Sequence, residues 1–158
     1  VAPQIRRAEL GDAARVGEMH AAAFAELYSA VLPTEVRAQL DAQTMASLWQ
    51  RFVSRGERYV QWVAVDRGRI VGFAGVGPGR ETGYDAANEL YFLVVEPAAR
   101  RKGVGRALLK RADADYVWVW EQNRSAQKFY RKQRFYPDSV ARDGKLFETP
   151  IPEVRMSR

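Results

Sequence analysis

The stretch Val94-Val95-Glu96-Pro97, then two alanines, then Arg100-Arg101-Lys102-Gly103-Val104-Gly105-Arg106, has the make-up of an anion site. An apolar strand stops at a proline, a glycine-bearing basic loop follows, and helix-forming residues come next. The first turn of a helix carries unpaired amides and the positive end of the dipole, and together these suit a phosphate. Gly103 and Gly105 have no Cβ to hold an anion away from the backbone. The same residues also make an ordinary solvated basic loop, and spacing alone does not separate the two. Three further side chains have chemical potential. Glu89 lies on an otherwise apolar strand, where desolvation of a carboxylate makes a base for an ammonium group. A solvent-open strand end is the other reading. Tyr130 and Asn123 are seven residues apart and share one helix face. With Ala126 and Phe129, Tyr130 makes an apolar stripe that reads as core, and Asn123 reads as an N-cap.

Composition narrows the options. The chain has 158 residues, which predicts one domain over 1–158. Hydrophobic residues make up 47% and charged residues 28%, which excludes a disordered chain. There is no cysteine and one histidine, so a disulfide framework, a thiolate zinc site, a multi-histidine metal site and a cysteine nucleophile are all excluded. No metal is expected. No apolar run is long enough to span a bilayer and no signal-peptide core is present, so a cytoplasmic protein is expected. Net charge is +6, but unevenly placed: Arg100 to Lys145 holds 13 basic and 5 acidic residues. That imbalance fits a polyanionic partner, whether nucleic acid, a membrane surface or a phosphorylated small molecule.

These side chains need elements to position them. Ile5 to Arg7 reads as a short strand. Asp12 is placed to cap a helix carrying Val16, Met19, His20, Ala23, Phe24 and Leu27, in which His20 reads as a packed residue. Thr34 opens a second helical region with the stripe Met45, Leu48, Trp49, Phe52. Tyr59 to Val65 and Ile70 to Val76, joined by Asp66-Arg67-Gly68-Arg69, form a hairpin. Asn88 to Val95 reads as a central strand, with Glu89, Tyr91, Leu93 and Val95 on one face. A helix through Ala107, Leu108 and Leu109, a strand Tyr116 to Trp120 and a helix from Asn123 to Gln133 follow. Last come one or two strands interrupted by Asp143-Gly144. The order predicts an α/β fold: a mixed sheet of six to seven strands with about four helices on its two faces.

The run Glu89-Leu-Tyr-Phe-Leu-Val-Val-Glu-Pro-Ala-Ala-Arg-Arg-Lys-Gly-Val-Gly-Arg-Ala-Leu-Leu resembles the acetyl-CoA motif of GNAT superfamily N-acetyltransferases. Trp118-Val-Trp-Glu-Gln-Asn-Arg-Ser-Ala-Gln-Lys-Phe-Tyr-Arg-Lys-Gln-Arg-Phe resembles the next motif of that family. Ile5 to Phe24 and Glu153 to Met156 resemble its first strand and helix and its closing strand. The resemblance implies a sheet splayed open at the acetyl-CoA site. It also implies direct transfer of an acetyl group to a primary amine of a small molecule or peptide.

By the same resemblance, the pyrophosphate of coenzyme A lies on Arg100, Arg101, Lys102, Gly103, Val104, Gly105 and Arg106. Its pantetheine arm runs along Leu93, Val94 and Val95, with Asn123 and Tyr130 beside it. Tyr130 then protonates the departing thiolate, and Glu89 is the base. The substrate side falls to Phe24, Glu26, Tyr28 and Tyr84, with Glu35, Glu81 and Asp85 adding negative charge that favours a cationic amine.

The pattern also departs from the family. The helix after Gly105 is short. Trp118 occupies a position where some members carry a basic glutamate, and Arg134-Phe135 replaces the usual Gly-Phe after the second motif's helix. A non-catalytic acyl-CoA sensor or partner-binding subunit keeps the same fold, and a basic nucleic-acid-binding domain explains the charge without the motifs. A monomer or homodimer is expected, with the C-terminal strands as the exchange surface, and no nucleic-acid or membrane partner.

Overall fold

The computed structural model describes residues 2–158. Its strands are β1 (Gln4–Arg7), β2 (Val60–Asp66), β3 (Arg69–Pro78), β4 (Asn88–Val95), β5 (Tyr116–Trp120), β6 (Tyr136–Leu146) and β7 (Thr149–Ser157). Its helices are α1 (Ala13–Tyr28), α2 (Thr34–Gln39), α3 (Ala42–Val53), α4 (Val104–Ala112) and α5 (Arg124–Lys132). The seven strands form one sheet in the order β1-β2-β3-β4-β5-β7-β6. Only β4 and β5 run parallel, so the sheet is mixed but mostly antiparallel.

Both faces of the sheet are covered. Leu108, Leu109, Tyr130 and Phe135 from the α4/α5 side pack on Leu90, Val117 and Val119. On the other face Val16, Met19 and Trp49 from α1 and α3 pack on Val63 and Phe73. α1 and α3 touch through Gly17, where an added Cβ would lie 2.3 Å from the Ala42 carbonyl oxygen. β3 is buried along almost its whole length, as its run of Ile, Val, Phe, Ala and Gly requires of a central strand. Among the described residues no helix is long and apolar enough to cross a membrane.

Several sequence expectations are corrected. Asp143-Gly144 does not interrupt the last strands: it lies inside β6, paired with Pro152 and Ile151. A Cβ on Gly144 would meet the Ile151 carbonyl and the Glu153 carboxylate at 2.6 Å, so glycine serves close approach rather than a turn. The turn is Phe147-Glu148, both at positive φ (47° and 67°), the geometry whose twist matches a two-residue hairpin. Asp12 does not cap α1 with its side chain. Its carboxylate accepts from the Glu9 amide at 2.7 Å and from Arg6, which closes the 3-10 turn before the helix. Leu48 is exposed and leaves the apolar stripe of α3.

Face assignment along β4 also changes. The register against β3 runs Gly75↔Phe92 and then Val76↔Leu90, so Tyr91 is an extra, bulged residue. The bulge lets Tyr91 and Phe92 both pack on Phe52 of α3. Leu93 and Val95 join Leu90 on the α4/α5 face, whereas Val94 packs on the α1/α3 face. Glu89 and Tyr91 therefore do not share a face with Leu93 and Val95.

Candidate active site

β4 and β5 pair over two positions only, Glu89↔Tyr116 and Leu90↔Val117. Beyond them the strands diverge. From Tyr91 onward β4 keeps its bonds to β3 but has no partner on its β5 side. Leu93, Val94 and Val95 thus line an edge whose β5-side backbone groups have no strand partner, although the Val95 carbonyl accepts from Arg100 Nε at 2.9 Å. The sheet splays where the sequence expected it to.

At the end of that edge the chain is fixed in place. Glu96 accepts from Arg15 of α1 at 2.5 Å and from Arg69 at 2.9 Å, and its amide donates to Val71. The loop then turns through Arg101 (φ 61°) and Gly103 (φ 81°), and Gly103 is the N-cap of α4. Gly105 packs against α5: a Cβ there would stand 3.3 Å from the Phe129 ring. So Gly103 supplies the left-handed turn and Gly105 the close contact between helices. Arg101, Lys102 and Arg106 stand exposed around the loop, while Val104 is buried beneath it. Arg100 is committed elsewhere. Its guanidinium forms a fork with Glu26 of α1, at 2.6 and 2.9 Å, and its Nε donates to the Val95 carbonyl. Two residues expected in separate roles, phosphate and substrate binding, are held together.

Asn123 caps α5, accepting from the Ala126 amide at 3.1 Å. Tyr130 is buried among Phe129 and Phe135, and burial pushes its phenol pKa upward. It therefore keeps its proton at neutral pH. At the far end of α5, Arg134 itself takes the left-handed position (φ 65°) that a glycine would fill more easily.

Glu89 is fully buried. Its two oxygens receive four donors: the Arg80 amide at 3.1 Å and the Tyr116 hydroxyl at 2.9 Å on Oε1, Arg80 Nε at 2.8 Å and Arg80 Nη2 on Oε2. Tyr116 also reaches Glu81, which accepts from Trp118 Nε1 and lies 3.4 Å from Arg142. Burial pushes the Glu81 carboxyl up, but the bonds from Tyr116 and Trp118 and the Arg142 charge outweigh it and leave its pKa lowered. Tyr116 is raised, chiefly by burial and then by its two carboxylate neighbours. One phenolic proton thus stands between two carboxylates. Arg80 and Tyr116 escaped the sequence reading, which took Glu81 only as substrate-side charge, because a loop and a distant strand bring them to Glu89.

The expected substrate-side residues are not gathered in one place. Phe24 stacks on Tyr28 at 5.5 Å, and Tyr28 on Trp120 at 5.1 Å. Burial, and then Glu153, push Tyr28 up to about 12. Tyr84 instead packs on Tyr116, at the other end of β5, roughly 13 Å away by strand rise. His20 packs on Phe24, Phe73 and Phe92 and is pushed down to about 4 by burial, so it is neutral. A cleft of about 360 Å³ opens beside it on the α3 side of β4, over Tyr91 and Phe92.

Residues 57–137 match the family described as acetyltransferase (GNAT) domain. Over 150 residues the chain is 31% identical to an uncharacterized N-acetyltransferase, YuaI, of Bacillus subtilis, covering 88% of this chain and 82% of that one. The chain belongs to the GNAT acetyltransferase family. Solved structures similar in fold include the PaiA N-acetyltransferase of Thermoplasma acidophilum in complex with coenzyme A (TM-score 0.69, 17% identity, all of both chains). Another is YncA, a putative acetyltransferase of Salmonella typhimurium, with acetyl-CoA (TM-score 0.70, 22% identity, 99% and 92% covered). A third is the ribosomal-protein-alanine N-acetyltransferase of Brucella melitensis (TM-score 0.74, 20% identity, 98% of each chain). The GNAT match takes in the splayed strands, the glycine loop and α5, and leaves α1 and α3 outside it.

Proposed function

We propose that this chain transfers an acetyl group from acetyl-CoA directly to a primary amine. The free β5-side edge of β4, ending at the glycine loop, carries the reading. An amide-bearing arm adds to such an edge as an extra strand, and a β4 N–H aimed at the thioester carbonyl stabilises the oxyanion that forms there. Amides around Gly103 and the N-terminus of α4, with Arg101, Lys102 and Arg106, suit a pyrophosphate. Arg100 joins them by releasing Glu26. Coenzyme A and acetyl-CoA in the Thermoplasma and Salmonella structures support this assignment. No cysteine is available to hold the acetyl group, so the amine attacks the thioester itself.

Proton movement is assigned to two places. Tyr130, protonated because it is buried, gives its proton to the departing thiolate. On the acceptor side Glu81 takes a proton from the ammonium group, Tyr116 receives it while passing its own on, and Glu89 ends protonated. The two transfers within the protein, from Glu81 to Tyr116 and from Tyr116 to Glu89, run along hydrogen bonds present in the structure. The lowered Glu81 carboxyl stays ionised at neutral pH, so it hands the proton on rather than storing it.

Acetyl-CoA at 100 times its Kd is expected to stabilise the protein by about 2.7 kcal/mol. That corresponds to a rise in Tm of about 5–11 °C. If neither acetyl-CoA nor CoA moves the melting curve, the proposed function is wrong. Tyr130→Phe is expected to lower kcat by about 10²-fold with acetyl-CoA affinity unchanged. Stopped-flow measurement of CoA release checks it, and unchanged turnover would remove Tyr130 from the reaction.

A further inference from the structure

The cleft beside β4 is notable for the sign of its charge. Three of its lining side chains are arginines, Arg51 from the last turn of α3, Arg55 from the turn that follows it and Arg80 from the β3–β4 loop, and none is acidic. Neither Arg51 nor Arg55 has a carboxylate partner among the described residues. Arg80 is paired with Glu89 through Nε and Nη2, and its guanidinium lies 4.1 Å over the Tyr91 ring. The remaining walls are apolar or aromatic, chiefly Phe52, Tyr91 and Phe92. His20 on the wall is neutral and contributes no opposing or added charge.

Guanidinium groups are donors only and carry positive charge, so the complementary ligand group is an acceptor with negative charge. At about 360 Å³ the space suits a body of amino-acid size.

From this lining we infer that the acceptor amine of this enzyme also carries a carboxylate, bound by Arg51, Arg55 and Arg80 in the cleft over Tyr91 and Phe92. The inference rests on the proposed acetyl transfer for the word acceptor, but the anion site stands on its own geometry. Arg80 and Glu81 are chain neighbours. The carboxylate end thus lies at Arg80 while the amine end lies toward Glu81 and the opening between β4 and β5. An amino acid with an apolar side chain has this layout.

The test is an equilibrium titration by calorimetry on the full chain. N-acetylated amino acids with apolar side chains, from alanine to phenylalanine, are each compared with the matching carboxamide. The best-bound carboxylate is expected to bind at least about tenfold more tightly than its carboxamide. That advantage is expected to vanish in the double variant Arg51→Met, Arg55→Met, whose replaced side chains are exposed. Equal binding of every carboxylate and carboxamide, or an advantage that survives in the double variant, overturns the inference. Acetyl-CoA is titrated into the same two proteins. Failure of acetyl-CoA to bind either one sinks the proposed function, while the carboxylate comparison still decides the arginine site.

Discussion

Replacing Glu89 by glutamine is expected to lower kcat by about 10²–10³-fold while acetyl-CoA affinity stays unchanged. Glutamine keeps the shape and the bond from Tyr116 but has no carboxylate to take up the relayed proton. The relay from Glu81 through Tyr116 then has nowhere to end. The low-pH limb of the rate profile is expected to flatten with it, because the limb reports the carboxylates that must be ionised before the ammonium can lose its proton. Stability is expected to fall as well, because Arg80 loses its counter-charge. Where the orphaned partner is buried, breaking such a pair costs about 3–5 kcal/mol. Arg80 is half exposed and regains water, so about 1–2 kcal/mol is expected here. Urea unfolding measures that cost separately from turnover. A destabilised variant with normal kcat and an unaltered pH profile would leave Glu89 as an anchor for Arg80 and no more.

Gly17→Ala is expected to destabilise the fold by about 3 kcal/mol, a fall in Tm of about 6–12 °C. At Gly17 the backbone of α1 meets that of α3: a Cβ would stand 2.3 Å from Ala42 O, 2.8 Å from Ala46 N and 2.9 Å from Ala46 Cβ. None of these is the flexible end of a side chain, so the helices themselves must move apart. α3 carries Arg51 and part of the cleft wall and leads into the turn that holds Arg55, so the displacement also alters the acceptor side. Gly11→Ala is the control. Nothing lies within 4 Å of its Cβ, and a change within about 0.5 kcal/mol is expected. A Gly17→Ala protein melting with the wild type would mean that α1 and α3 do not meet as described.

The part of the site built from contiguous residues was legible in the sequence. A strand, a proline stop, a basic glycine loop and a helix start lie within Val94 to Arg106, and their chemistry depends on backbone conformations that local residue types dictate. Asn123 as a cap and Tyr130 on the same helix follow from helical spacing in the same way. The bulge at Tyr91 was not legible. It arises from register against β3, and one extra residue moved Leu93 and Val95 to the opposite face from Glu89. The last hairpin misled for a related reason. Asp143-Gly144 has turn chemistry, but the close approach of Ile151 and Glu153 uses that glycine inside a strand. Phe147-Glu148 turns the chain instead.

Charge shows the division most plainly. The sequence alone determined that this chain has a surplus of basic residues after Arg100, a phosphate-suited loop within it, no cysteine and an acid on an apolar strand. Those are matters of composition and short spacing. Only the tertiary structure decided which charges remain free. Arg100 spends its fork on Glu26, 74 positions away, and Glu89 is enclosed by Arg80 and Tyr116. Arg51 at the end of α3 and Arg55 in the turn after it, unremarkable as exposed arginines, are left without a carboxylate partner among the described residues, beside the bulged strand. An ion pair is made between elements that the sheet brings together, so its partners cannot be read from either segment by itself.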